Sequence, residues 1–288
     1  MKPAPFAYEQ PHSVDEAVGL LARHGDEAKV LAGGQSLIPL LNFRLARPER
    51  LVDVNRIAEL AYVRRRDGAL RIGALTRMAS LERSPLVAAR WPLLVEAARL
   101  VGHPQIRSRG TVGGSVAHAD PAAELPAALT ALGASFHTRS QRRPRTLIAD
   151  EFFVSQLTTA LEPDELLVEI TVPPLAPRTG TAIVEHTRVH GDFALGGAAV
   201  MFSLAEDGAC AGASIVLLAA APTPVRARAA EESLTGALLE EAALAAAAEL
   251  AADEVRISGP DARFRRALAA ELTRRALASA AERAQAAA

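Results

Sequence analysis

Val30-Leu-Ala-Gly-Gly-Gln-Ser-Leu-Ile-Pro39 and, about eighty residues later, Gly110-Thr-Val-Gly-Gly-Ser-Val-Ala-His-Ala-Asp-Pro-Ala-Ala-Glu124 are the stretches on which the reading of this chain turns. Each sets a Gly-Gly pair after apolar, strand-like residues, where a backbone without Cβ atoms can turn tightly and aim successive N–H groups at an anion. Two such segments suggest one extended ligand: a pyrophosphate held by paired turns, with the rest of a dinucleotide between them. No lysine or arginine lies between Val30 and Phe43, so a phosphate there falls to backbone amides and to side chains such as Gln35 and Ser36. Neither segment fits G-x-G-x-x-G or G-x-x-x-x-G-K-[ST], which argues against a Rossmann fingerprint and a P-loop. A plain tight turn remains the competing reading of Gly33-Gly34.

Around these segments, 288 residues exceed most single cores and point to two or three packed units. Half of the residues are hydrophobic and the net charge is -1, so no global basic field favours nucleic acid. The single cysteine, Cys210, excludes an intrachain disulfide and any four-cysteine iron–sulfur or zinc site made by this chain alone. The N-terminal residues lack the apolar core of a signal peptide, and the longest apolar stretch, residues 215–222, is too short to span a bilayer. A soluble, cytoplasmic chain is expected.

Periodicity supplies the frame. Ser13-Val-Asp-Glu16 is a capping box, followed by Val14, Ala17, Val18 and Leu21 on one helical face until His24-Gly25. Residues 29–32 read as a strand, 37–45 as a helix that Gln35 or Ser36 caps, and 51–54 as a strand. Asp67-Gly68 marks a hairpin between residues 61–65 and 69–74. Helices are expected at 76–83, 85–101 and 122–132, and strands at 134–138, 143–148 and 165–172. Pro173-Pro174, Pro177 and Gly180 mark the best domain boundary, giving domains of 1–175 and 176–288. Strands at 181–189, 196–205 and 211–219 then precede alanine-rich helices whose last residues, 282–288, fray. Strands followed by helices without strict alternation make an α+β unit.

Within the second segment, the hydroxyls of Thr111 and Ser115 bracket Gly113-Gly114, and Asp120 caps the helix after Pro121. Glu124 sits one turn in; beside a pyrophosphate it would be repelled, so it suits a sugar or ribityl hydroxyl. A loop histidine with no visible partner, His118, reads as structural rather than as a catalytic base.

Together with Ile106-Arg-Ser-Arg-Gly-Thr-Val-Gly-Gly114 and Arg188-Val-His-Gly-Asp-Phe-Ala194, the two glycine segments resemble the FAD-binding medium subunit of molybdenum hydroxylases, the group of aerobic carbon monoxide dehydrogenase and the flavin domain of xanthine dehydrogenase. The resemblance runs from about residue 3 to 280. It implies an α+β protein: a two-lobed PCMH-type FAD-binding domain, with lobes of about 1–57 and 58–175, and a smaller carbon monoxide dehydrogenase flavoprotein-like C-terminal domain of antiparallel strands and helices. Carried over by position, Ala32, Gly33, Gly34, Gln35, Ser36 and Leu37 match the first pyrophosphate segment, and Thr111, Val112, Gly113, Gly114 and Ser115 the second. Glu124 matches an acidic FAD contact, Val101 a position beside it, and Leu167 or Val168 a strand position at the isoalloxazine. Glu185 falls where some relatives have lysine, Gln35 where some have histidine, and Phe193 near where relatives place an aromatic against the flavin. The Gly191-Asp192-Phe193 segment is equally well read as a turn.

The resemblance further implies an electron-transfer subunit with no catalytic or metal-binding side chain of its own. A large molybdenum–pterin subunit and a small [2Fe-2S] subunit would complete it, as a dimer of heterotrimers acting without nucleic acid or obligate membrane insertion. Two other readings stay open: a self-contained flavin oxidoreductase and a cofactor-free assembly protein.

Overall fold

The computed structural model describes residues 2–287. At the N-terminal end, β1 (Ala7–Glu9), α1 (Val14–His24), β2 (Ala28–Leu31), α2 (Leu37–Asn42) and β3 (Arg50–Asp53) form a small parallel sheet in the order β1-β3-β2. Ser13 caps α1 by accepting a hydrogen bond from the Glu16 amide at 3.1 Å, while the Glu16 carboxylate accepts from the His12 amide at 2.7 Å. Its apolar face, Val14, Ala17, Val18 and Leu21, is buried against Val52, Val54 and Ile57.

The next part is built on an antiparallel sheet of order β4-β5-β10-β6-β7: β4 (Val63–Arg66), β5 (Ala69–Gly73), β6 (Ser135–Arg139), β7 (Arg145–Ile148) and β10 (Leu166–Val172). Asp67 and Gly68 both have positive φ, 52° and 82°, as a tight two-residue hairpin requires. One face of the sheet is covered by α3 (Met78–Glu82), α4 (Pro85–Arg90), α5 (Pro92–Leu100), α6 (Pro104–Arg109), α7 (Val112–His118) and α8 (Glu124–Ala131). The helix expected over 85–101 is two helices, because Pro92 has no amide hydrogen and starts a new helix after Trp91. Asp120 does not cap α8; its carboxylate accepts from the Ala122 amide at 2.9 Å and closes the turn before Ala123, which holds the cap position. A short helix α9 (Ala149–Phe152) and a two-stranded ribbon, β8 (Phe153–Ser155) with β9 (Thr158–Thr159), lead into β10.

A third, antiparallel sheet follows in simple order: β11 (Thr179–His186), β12 (Gly196–Leu204), β13 (Cys210–Leu218) and β14 (Val225–Arg226). Helices α10 (Arg228–Leu234), α11 (Glu241–Ala252) and α12 (Ala262–Ala286) close one face around Ala198, Val200 and Phe202. The alternate residues Ile183, Ala199 and Val216 join the core beneath α5 and α8, so this sheet is buried on both sides. The expected fraying does not begin at residue 282, because α12 stays helical to Ala286 with Ala284 fully buried.

Candidate functional site

The two glycine segments, remote in sequence, touch. A Cβ on Gly33 would lie 2.6 Å from the Arg109 carbonyl oxygen, 2.8 Å from Gly110 Cα and 3.1 Å from the Thr111 nitrogen, so only glycine lets the backbones cross this closely. Ala32 Cβ in turn lies 3.8 Å from where Gly114 would carry its own. Between β2 and α2, the amides of Gly33, Gly34, Gln35, Ser36 and Leu37 find no hydrogen-bond acceptor among the described residues. Ser36 does not cap α2, and Gln35 turns its side-chain amide back to the Gly33 carbonyl at 3.0 Å. Gly33 to Leu37 thus present five consecutive unpaired donors, with Gly34 at φ 74°, of the kind that can line a phosphate site.

The second segment behaves differently. It is a helix rather than a loop of free amides: Thr111 is the N-cap of α7 and its hydroxyl accepts from the Gly114 amide at 3.1 Å. Val112 and Gly113 donate to the carbonyls of Thr76 and Ala74, both at 2.9 Å, and Ser115 donates to Thr111 at 3.1 Å. A Cβ on Gly113 would come within 2.5 Å of Ala74 Cβ, so this glycine serves the crossing of α7 over the end of β5. Thr111, Val112 and Gly113 are buried, while Gly114, beside Ala32, and Ser115 are half-exposed. The second segment therefore offers no second row of free amides.

What holds the two segments together was invisible in their motifs. Arg77 donates one guanidinium hydrogen bond to the Arg109 carbonyl, which precedes the second segment, and another to Asn55 Oδ1 at 2.7 Å. Asn55 Nδ2 donates to the Ala32 carbonyl at 2.7 Å and to Asp53 Oδ1 at 2.6 Å. Asp53 also accepts from the Asn55 amide at 2.9 Å and from the Tyr8 hydroxyl. Burial opposes its ionisation, but the hydrogen bonds from Tyr8 and Asn55 outweigh it and keep the Asp53 carboxyl below the ordinary range. Burial, and then the nearby charge of Arg109, lowers the Arg77 guanidinium.

The other expected residues come from α5, β10, α8, β11 and the turn before β12. Val101 ends α5, half-buried, and its carbonyl accepts from Arg107 at 3.1 Å. Leu167 points into the core, while Val168, at the irregularity in β10, is half-buried and accepts from the Ala74 amide at 3.0 Å. Glu124, 8% exposed, opens α8; burial pushes its carboxyl up to about 8, with Glu185 and Asp120 adding to the shift. Burial pushes Glu185, on β11, up to about 7, and its Oε2 is buried with no partner. Phe193 is 68% exposed at the end of a turn whose Gly191, at φ 83°, abuts the His103 ring.

His118 ends α7 with no hydrogen-bond partner among the described residues; burial lowers its pKa, the Asp120 charge opposes that, and Lys29 adds to it. A neutral, unpartnered imidazole has no proton relay to join, so His118→Ala is expected to change the rates of flavin reduction and reoxidation by less than about tenfold. Stopped-flow reduction and reoxidation of the flavin checks this, and a far larger loss with flavin retained contradicts it. Among the described residues, no group of three or more His, Cys, Asp or Glu side chains is placed to hold a metal. No helix there is long and apolar enough to cross a membrane.

The donor set suits FAD. The run of unpaired amides matches a pyrophosphate, the glycine crossing brings the two segments side by side, and Glu185 Oε2 is buried without a partner. Residues 4–175 match the family described as the FAD binding domain in molybdopterin dehydrogenase, and residues 182–280 match the CO dehydrogenase flavoprotein C-terminal domain. The chain belongs to this family, the FAD-binding medium subunits of molybdenum hydroxylases, and is thus a subunit of an oxidoreductase.

Among its relatives, the 6-hydroxypseudooxynicotine dehydrogenase complex subunit alpha of Paenarthrobacter nicotinovorans is 45% identical, covering 99% of this chain and 97% of that protein. The carbon monoxide dehydrogenase medium chain of Hydrogenophaga pseudoflava is 41% identical over 96% and 97%. A solved structure of carbon monoxide dehydrogenase from that organism, lacking the Mo-pyranopterin moiety of the molybdenum cofactor, superposes with a TM-score of 0.95 at 42% identity, covering 98% of this chain and 99% of that one.

Proposed function

We propose that this chain is the electron-transfer subunit of a molybdenum hydroxylase, taking electrons from [2Fe-2S] clusters on a small partner and delivering them through FAD to an external acceptor. The carrying observation is the unpaired amide array of Gly33 to Leu37 closed against Gly110 and Gly114. FAD, when bound, supplies the chemistry, because it accepts electrons singly and releases them in pairs. The protein's part is to bind, orient and shield: Gly33 to Leu37 neutralise the pyrophosphate with N–H groups, Gly114 and Ser115 wall its other side, and Glu124 and Glu185 address the polar groups of the remainder. Val101, Val168 and Phe193 supply apolar or aromatic surface at the seam. Substrate conversion belongs to a large molybdenum–pterin partner, in keeping with relatives named as medium chains or as subunits of dehydrogenase complexes. In this reading the cofactor lies between the two lobes of domain 1–175, with 176–288 as the C-terminal domain, the complex is a dimer of heterotrimers, and it works in the cytoplasm.

Purification of the chain with its co-expressed partners, followed by metal analysis and an absorption spectrum, tests this. Molybdenum, iron and flavin are expected to travel together. A colourless chain that takes up no FAD would favour an assembly protein, and turnover of a small organic substrate by the isolated chain would favour a self-contained flavin oxidoreductase.

A further inference from the structure

Two carboxyl groups without counter-charge share the seam between the FAD-binding part and the third sheet. Along β11 the side chains alternate, Ile183 packing under α5 and α8 and Val184 toward α12, so Glu185 lies on the Ile183 side. Its cross-strand partner is Gly197, which brings no side chain to cover it. Glu124 approaches from α8, which packs on β12 and β13, and is almost fully buried. Among the described residues neither carboxylate forms an ion pair, and Glu185 Oε2 has no hydrogen-bond partner.

The packed elements offer little relief. Asp120, ahead of α8, adds like charge to Glu124. On α5, Glu96 is bound to Arg283 of α12 at 2.7 Å, and Arg265 of α12 donates to the Leu195 carbonyl. His118 at the end of α7 answers to Asp120 and Lys29, not to the pair. Two ionised carboxylates in one desolvated place are opposed by both burial and repulsion.

Resting on the FAD reading above, we propose that Glu124 and Glu185 work as one proton-holding pair on the wall of the FAD site, one carboxyl presenting a hydrogen-bond donor to the cofactor. A neutral carboxyl donates one hydrogen bond while its partner only accepts. That combination suits a ligand edge carrying both N–H and C=O groups, as the pyrimidine ring of a flavin does. The raised carboxyls set the sign: the folded state holds protons that the unfolded chain releases near pH 4.5, so stability is greatest below that range and is lost as pH rises through about 7 to about 8.

The test measures FAD affinity and, separately, the melting temperature of the FAD-free chain from about pH 6 to 9 for the parent, Glu124→Gln and Glu185→Gln. The parent is expected to lose FAD affinity with rising pH by up to about tenfold per pH unit, the limit for one proton. Glutamine keeps a neutral donor, so both variants should flatten this slope and lessen the loss of melting temperature above pH 7. A parent affinity independent of pH, or equal slopes in all three proteins, overturns the pair. If no protein takes up FAD at any pH, the FAD reading fails instead, and equal pH slopes of melting temperature would still overturn the pair.

Discussion

A Gly33→Val protein is expected to purify without FAD while remaining folded. The new Cβ would overlap backbone atoms of Arg109, Gly110 and Thr111, none of which is the end of a flexible side chain, so the two segments must move apart. Overpacking of this kind costs about 1–3 kcal/mol of stability, within reach of a chain with three buried clusters. Binding suffers more, because separating the segments dissolves the site without unfolding what lies behind it; a loss of about 100-fold in affinity corresponds to about 2.7 kcal/mol. Gly114→Val is a milder case, since its Cβ meets the Thr111 hydroxyl at 2.6 Å and disturbs the cap of α7 rather than a backbone crossing. Gly212→Ala, where a Cβ meets nothing within 4 Å, is the control. Flavin released on denaturation and the melting temperature are the measurements. Unchanged flavin content in Gly33→Val would refute the role given to the amide array.

The legible parts of this fold were those with a strong local period or a strong local breaker. Helix α1 announces itself by its cap and four apolar residues on one face, and the β4–β5 hairpin by Asp67-Gly68, which are local signals and need no tertiary help. β1 and the ribbon β8–β9 were missed because strands of three and two residues are too short to show alternation. The first glycine segment does carry the unpaired amides its sequence suggests. The second was misread in its mechanism: a glycine pair signals either a tight turn or a close crossing, and nothing local distinguishes them. Only the approach of Ala74, 39 residues upstream in sequence, decides for a crossing at Gly113. Tyr8, Asp53, Asn55 and Arg77 escaped notice for a related reason, since each looks like an ordinary surface polar residue until partners 22 to 45 positions away are brought beside it.

Removal of that last residue gives the second large effect: Arg77→Ala is expected to weaken FAD binding by about 10- to 100-fold, about 1.4–2.7 kcal/mol, with a smaller effect on the FAD-free chain. One guanidinium spans the Arg109 carbonyl and, through Asn55, the Ala32 carbonyl, so it sets the distance between the segments on either side of the site. Its loss leaves Asn55 Oδ1 and the Arg109 carbonyl without their donor, at about 1–3 kcal/mol for each that stays dry. A cavity of about 430 Å³ lined by Arg77, Asn55, Thr76, Ser80 and Ser84 lets water reach Asn55 Oδ1, and Arg109 is exposed, so solvent can replace the lost donor at both acceptors. Relief from burying a charge that the surroundings already disfavour offsets more of the cost, so the melting temperature should fall only modestly. Water cannot, however, fix a distance between two backbones as a rigid planar fork does. Arg77→Lys separates these effects: the ammonium keeps the charge and reaches one acceptor but not both, so affinity should recover only in part. FAD titration followed by flavin fluorescence, set beside thermal melting of the FAD-free chains, distinguishes the cases. Equal affinity in Arg77→Ala and the parent would mean that the Gly33–Gly110 crossing alone holds the segments in place.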